Sequence, residues 1–203
     1  TLNLDGTSTP AGLGTINNSA GGTVSVIGKL DNTGNNLAFT AATGSWQLKG
    51  GEISGGQITP GPGGQKLVFT TSAGILSNGA VLNGDLNLSA NNTAVRLFSG
   101  ADFTGTANLT GTGTVLAYQE TRTITGRTIN LDGSNAQLSI DGNTTLTLGA
   151  ATTVRGRGTI GQAVFLGGNS ALVNQGTIRS DLAGQTLTVA PAAFTNQAAG
   201  KLE

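Results

Sequence analysis

Few residues in this chain are equipped to do chemistry. Ten carboxylates are spread over 203 residues (Asp5, Asp31, Glu52, Asp85, Asp102, Glu120, Asp132, Asp141, Asp181 and Glu203), and ten Lys and Arg balance them to a formal net charge of zero. Glycoside hydrolysis needs two carboxylates across one groove, and calcium-assisted cleavage needs two or three around an ion with a Lys or Arg nearby. Here Asp5, Asp132 and Asp141 each precede a glycine, which marks a turn corner, and the remainder stand singly. No catalytic carboxylate is expected. His, Cys and Met are absent, which removes imidazole acid–base chemistry, thiolate ligands and disulfides. Asp132-Gly133 and Asp141-Gly142 lack the alternating acidic spacing of a calcium loop, so neither a metal nor a cofactor is expected.

The one cationic pattern worth singling out is Arg155-Gly156-Arg157-Gly158-Thr159-Ile160-Gly161. Its glycines suggest a phosphate loop, but the lysine and the following helix that such a loop needs are missing. Two arginines alternating with small residues are expected on one strand and one face, where Arg155 and Arg157 would contact a small anion or a glycan. With only 10% charged residues there is no basic stripe for nucleic acid. Trp46 and Tyr118 are candidates for stacking on a sugar, although Trp46 falls at a position resembling that of Leu76, which favours burial. Threonine runs such as Thr110-Gly111-Thr112-Gly113-Thr114 lack the constant period of an ice-binding row and fit strand propensity. Sequons at Asn17, Asn87, Asn91, Asn108 and Asn143 arise readily in Asn- and Thr-rich sequence.

The elements that must hold these groups show themselves as repeats. Ala171-Leu172-Val173-Asn174-Gln175 returns as Ala193-Phe194-Thr195-Asn196-Gln197, 22 residues later, and the copies run on to Ile178 and Leu202. A unit of that length cannot bury its own apolar face and must stack on neighbours, the signature of a β-solenoid. Asn87-Leu88-Ser89-Ala90-Asn91-Asn92 echoes Asn130-Leu131-Asp132-Gly133-Ser134-Asn135, and a looser family links Leu37-Ala38-Phe39, Leu67-Val68-Phe69, Leu146-Thr147-Leu148 and Leu187-Thr188-Val189. The 34 glycines beside only 4 prolines suit short strands joined by tight Asx-Gly corners. At about 20 to 25 residues per coil the chain makes about eight to ten parallel coils. Residues 1–203 read as a single β-helix segment. Neither end carries a polar capping repeat, so the segment is expected to belong to a longer solenoid. Loop excursions are expected near 59–64, where Pro60 and Pro62 forbid ladder bonds, and near 118–127, where Glu120, Arg122 and Arg127 concentrate charge. No apolar run is long enough to span a bilayer, so membrane insertion is not expected.

The steps Ile16-Asn17-Asn18-Ser19-Ala20-Gly21-Gly22-Thr23-Val24, Val173-Asn174-Gln175-Gly176-Thr177-Ile178 and Phe194-Thr195-Asn196-Gln197-Ala198-Ala199-Gly200-Lys201-Leu202 resemble the coil repeats of large bacterial exoproteins. These are the passenger domains of autotransporters and the filamentous haemagglutinin-like proteins of two-partner secretion. The resemblance implies an all-β, right-handed parallel β-helix, secreted or displayed at the cell surface. It implies a non-enzymatic structural or adhesive segment, whose partners are host or neighbouring cell surfaces, glycans or other copies of itself. The alternative from another class is a polysaccharide-acting β-helix enzyme or a phage tail-type carbohydrate-binding protein on the same fold.

Overall fold

Alternation of apolar and polar residues over three or four positions gives strands too short to stand alone, and Gly or Asn between them turns the chain through a corner. The computed structural model describes residues 1–18 and 22–203. Among these, 27 short strands and a single four-residue helix are found. All the strand pairs whose register is resolved are parallel, and the fold is a β-solenoid of about nine turns. The resembling step over residues 16–24 and the sequon at Asn17 include residues 19–21, which lie outside the described residues.

The chain divides into two compact units. The first comprises residues 1–85 and 95–104. Three strands per coil form three faces. One face stacks Leu2–Leu4, Val24–Val26, Trp46–Leu48 and Leu67–Phe69. A second runs from Lys29–Asp31 through Glu52–Ser54 and Gly74–Ser77. The third stacks Asn36–Ala38, Gln57–Thr59, Val81–Leu82 and Asp102–Phe103. Register places like on like inside: Leu30 over Ile53 over Leu76, and Leu37 over Ile58 over Leu82 over Phe103. Each of these is buried, and filling a coil in this way contributes about 1.5–3 kcal/mol per large side chain. The helix Pro10–Leu13 is capped by Thr9, whose Oγ1 accepts from the Gly12 amide at 3.1 Å.

The second unit comprises residues 86–94 and 105–203. One face stacks six strands: Leu86–Leu88, Ala107–Leu109, Thr128–Leu131, Thr153–Gly156, Thr177–Arg179 and Lys201–Leu202. Another holds Val115–Tyr118, Gln137–Ile140, Gly158–Ile160 and Leu187–Val189, and the third Arg122–Ile124, Thr145–Leu148, Ala171–Asn174 and Ala193–Asn196. Leu86, Ala107, Ile129, Val154 and Ile178 form one continuous interior stack, and Leu202 follows them in register in the last rung, where it is exposed.

The 22-residue repeat is a pair of adjacent rungs, with Ala171, Leu172, Val173 and Asn174 lying on Ala193, Phe194, Thr195 and Asn196, and Ile178 on Leu202. The looser family is not in register: Leu37 lies on Ile58, whereas Leu67 lies on Trp46 of a different face. Residues 60–66 form the expected turn, closed by the Gly61 amide on the Gln65 carbonyl at 2.7 Å, while Thr59 still belongs to a strand. The expected excursion at 118–127 is corrected. Tyr118 is fully buried at the end of Val115–Tyr118, and Arg122–Ile124 is itself a strand. The charge belongs to a corner cluster in which Arg122 sits 5.5 Å from the Tyr118 ring and 3.3 Å from Glu120. The longer departure is the ten-residue segment between Ile160 and Ala171. Among the described residues no helix is long and apolar enough to cross a membrane.

Candidate functional site

Arg155 and Arg157 do not share a strand. Arg155 points outward from Thr153–Gly156, whereas Arg157 occupies the bend before Gly158–Ile160. The bend is made by Gly156 and Gly158, with φ of +110° and +108°. A Cβ at either would meet a carbonyl oxygen of the coil beneath, Leu131 for Gly156 and Ala136 for Gly158, so both conformation and space require glycine here.

The two arginines consequently meet different surroundings. The Arg155 Nε donates to Asp181 at 2.7 Å, and its Nη1 reaches the Asn130 Oδ1 at 3.5 Å. Asp181 also receives Arg179 at 3.2 Å, and Arg179 lies 3.7 Å from Glu203. The Arg155 hydrogen bond, ahead of the charge of Arg179, holds the Asp181 carboxyl below the usual carboxylate range, and the same bond raises Arg155. That guanidinium is spent on its neighbours. Arg157 instead donates from Nε to the Asp132 carbonyl at 2.9 Å and from Nη1 to the Gln185 Oε1 at 2.9 Å, both uncharged acceptors. Among the described residues no carboxylate stands within ion-pair distance of it.

Arg157 lines a cavity of about 370 Å³ with Ser134, Asn135, Gly158, Thr159, Gly184, Gln185, Thr186 and Thr188. Thr159 and Thr188 are paired rungs of one face. A smaller concavity of about 140 Å³ in the first unit is apolar, lined by Pro10, Leu13, Ile16, Leu37 and Trp46 among others. Trp46 is buried there as expected, edge-on to Phe39 at 6.0 Å, but it pairs with Val24 and Leu67 and is not a counterpart of Leu76.

The carboxylates are distributed as corner and ion-pair groups. Asp5 accepts from the Gly6 amide at 2.7 Å, Asp31 from Thr33 at 3.1 Å and Asp102 from Phe103 at 2.8 Å. Glu52 binds Lys29 at 3.2 Å and Ser77 at 2.5 Å. Among the described residues no three acidic side chains gather where a metal ion would sit. Asp141 has a role the sequence did not disclose. Fully buried, its carboxylate accepts from Ser139 Oγ at 2.6 Å, Gln119 Nε2 at 3.0 Å and the amides of Val164 and Phe165 at 2.8 and 3.3 Å. It anchors the departure after Ile160. The interrupted periodicity at Gly161 and at Gly167-Gly168 was the available signal of that departure; nothing marked which aspartate would hold it.

On the six-stranded face, Asn87, Asn108 and Asn130 occupy successive rungs, followed in register by Arg155 and Arg179. Asn108 Nδ2 donates to Asn87 Oδ1 at 3.0 Å, and Asn130 Nδ2 to Asn108 Oδ1 at 2.9 Å. At the corner between Ala171–Asn174 and Thr177–Arg179, Asn174 Nδ2 donates to Asn196 Oδ1, and Gln175 Nε2 to Gln197 Oε1, each at 2.7 Å. No known protein family, curated protein or solved structure matches this chain.

Proposed function

We propose that this chain is a non-enzymatic structural or adhesive segment of a secreted or cell-surface bacterial β-helix protein, of the kind its coil repeats resemble. Its stacked coils would present rows of hydrogen-bonding side chains to other copies of itself or to a glycan-bearing surface, many weak contacts adding up through repetition. The observation that carries this reading is the outward ladder of Asn87, Asn108 and Asn130, a regular polar row repeated rung by rung. The carboxylates support it from the other side. Asp181 is held ionised between two arginines and is unsuited to donate a proton, Asp141 is enclosed, and Asp5, Asp31 and Asp102 are occupied by backbone amides. The polar cavity at Arg157 keeps carbohydrate binding, without hydrolysis, as the second reading.

The test is display of the chain on a non-adherent bacterium, scoring cell clumping and attachment to glycan-coated surfaces. Clumping or attachment above the empty-display control is expected, and reduced when Asn108 and Asn130 are both replaced by lysine. Sugar release from a polysaccharide panel by the purified chain, with neither clumping nor attachment, would overturn the proposal.

A further inference from the structure

We infer that the cavity at Arg157 is a binding site for an acidic saccharide, a sugar ring carrying one carboxylate. This rests on the adhesive reading for its biological setting but not for its chemistry. Three features point to this ligand class. The first is charge: Arg157 is a guanidinium fixed in place by two neutral acceptors and left without a carboxylate partner among the described residues. Two of its five N–H donors are used in those bonds, and the remaining ones retain the planar geometry that grips a carboxylate bidentately. Arg155, two residues away, serves as an internal comparison, since its Asp181 partner leaves no such vacancy for an anion.

The second feature is the wall. Ser134, Asn135, Thr159, Thr186 and Thr188, all hydroxyl or amide residues, line the cavity, whose wall is mainly polar. Such groups donate and accept alike, as the hydroxyls of a sugar require. The third is size and polarity. About 370 Å³ lies at the lower end of the roughly 300–1,000 Å³ typical of small-molecule sites and suits a mono- or disaccharide. The lining offers no aromatic or large aliphatic side chain, which disfavours an apolar ligand, and its single cation is too little for a polyanion such as nucleic acid.

Saturation-transfer NMR on the 203-residue chain, with methyl β-D-glucuronide as probe and methyl β-D-glucoside and acetate as comparisons, tests the site. Transfer to the glucuronide from the threonine methyls is expected, with neither comparison binding within about tenfold of it. Arg157→Gln is expected to weaken glucuronide binding at least about tenfold, and Arg155→Gln to leave it unchanged. Because Arg157 also bridges two segments, Thr188→Glu supplies an independent check. Thr188 is exposed on its strand, and a carboxylate there would claim the guanidinium and abolish binding without disturbing the coil. Equal binding of glucoside and glucuronide, acetate binding as tightly as the sugar acid, or retention in both Arg157→Gln and Thr188→Glu would each overturn the inference. Absence of clumping and attachment by the unsubstituted chain in the display assay, with glucuronide binding intact, would instead count against the adhesive reading alone.

Discussion

Replacing Asp141 by asparagine or alanine probes how the departure after Ile160 is held. The carboxylate gathers four donors: Ser139, Gln119 and the amides of Val164 and Phe165. A hydrogen bond to a charged group contributes about 1.5–3 kcal/mol, a neutral one about 0.5–1.5 kcal/mol, so asparagine weakens each contact by about 1 kcal/mol. Asparagine also turns a second donor toward Gln119 in place of an acceptor, although rotation of the glutamine amide relieves that conflict. Against these losses stands the cost of burying a carboxylate, which asparagine avoids and which is several kcal/mol. Global unfolding therefore mixes two opposed terms and is a poor readout. Amide exchange is local. At Val164 and Phe165 we expect exchange to accelerate about tenfold in Asp141→Ala and less in Asp141→Asn, because without the carboxylate the Val164 amide still reaches Ser139 Oγ at 3.1 Å and Ser139 Oγ still donates to the Gln162 carbonyl at 2.9 Å. Leu138, paired within the adjoining face, should keep its protection. Unchanged exchange at Val164 and Phe165 in Asp141→Ala would refute the claim that this carboxylate holds the segment.

Arg155→Gln should raise the pKa of the Asp181 carboxyl, followed by carbonyl-carbon NMR. The value should remain below the usual range because Arg179 still lies 3.2 Å away. Since Asp181 is lowered in the folded chain, its contribution to stability is present above the ordinary aspartate range and fades as pH falls through the lowered value; an Asp181 titration unmoved by the substitution would contradict this. Gly158→Ala should cost about 2–4 kcal/mol in denaturant melts, from its φ of +108° and the collision with the Ala136 carbonyl. Asn108→Ala interrupts the ladder between Asn87 and Asn130 and should cost about 1 kcal/mol by the same measurement, with no change in the denaturant slope.

The legible part of the fold was whatever repeats residue for residue. Asn174-Gln175 and Asn196-Gln197 match because each amide bonds to its own kind one coil away, so spacing and chemistry were preserved together. Asn87 and Asn130 likewise lie two rungs apart on one face. The Leu-x-Phe family misled because interior positions on every face want the same residues; such a pattern reports burial but not which face is buried. Charge within 118–127 suggested a loop because the aromatic partner of Arg122 is visible only once Tyr118 is folded inward. The paired arginines failed as one face because Gly156 turns the chain between them and Gly158 completes the bend. A sequence shows that glycine is present, not that the carbonyl of the coil beneath requires it.

The amide rows also have a direction. From Asn130 through Asn108 to Asn87 every donor belongs to the later coil and every acceptor to the earlier, and Arg155 adds a cation at the row's start by donating into Asn130. At the Asn174 and Gln175 corner the sense is reversed, with the earlier coil donating to the later. Flipping one asparagine amide within the first row would set donor against donor on one side and acceptor against acceptor on the other. The rotamers of Asn87, Asn108 and Asn130 are therefore correlated rather than independent, and each bond polarises the next. The second unit thus carries one directed amide row, its sense fixed by the Arg155 guanidinium that can only donate, and two separate amide pairs of opposite sense, the Asn174 pair fixed by the Lys201 carbonyl and the Gly176 amide.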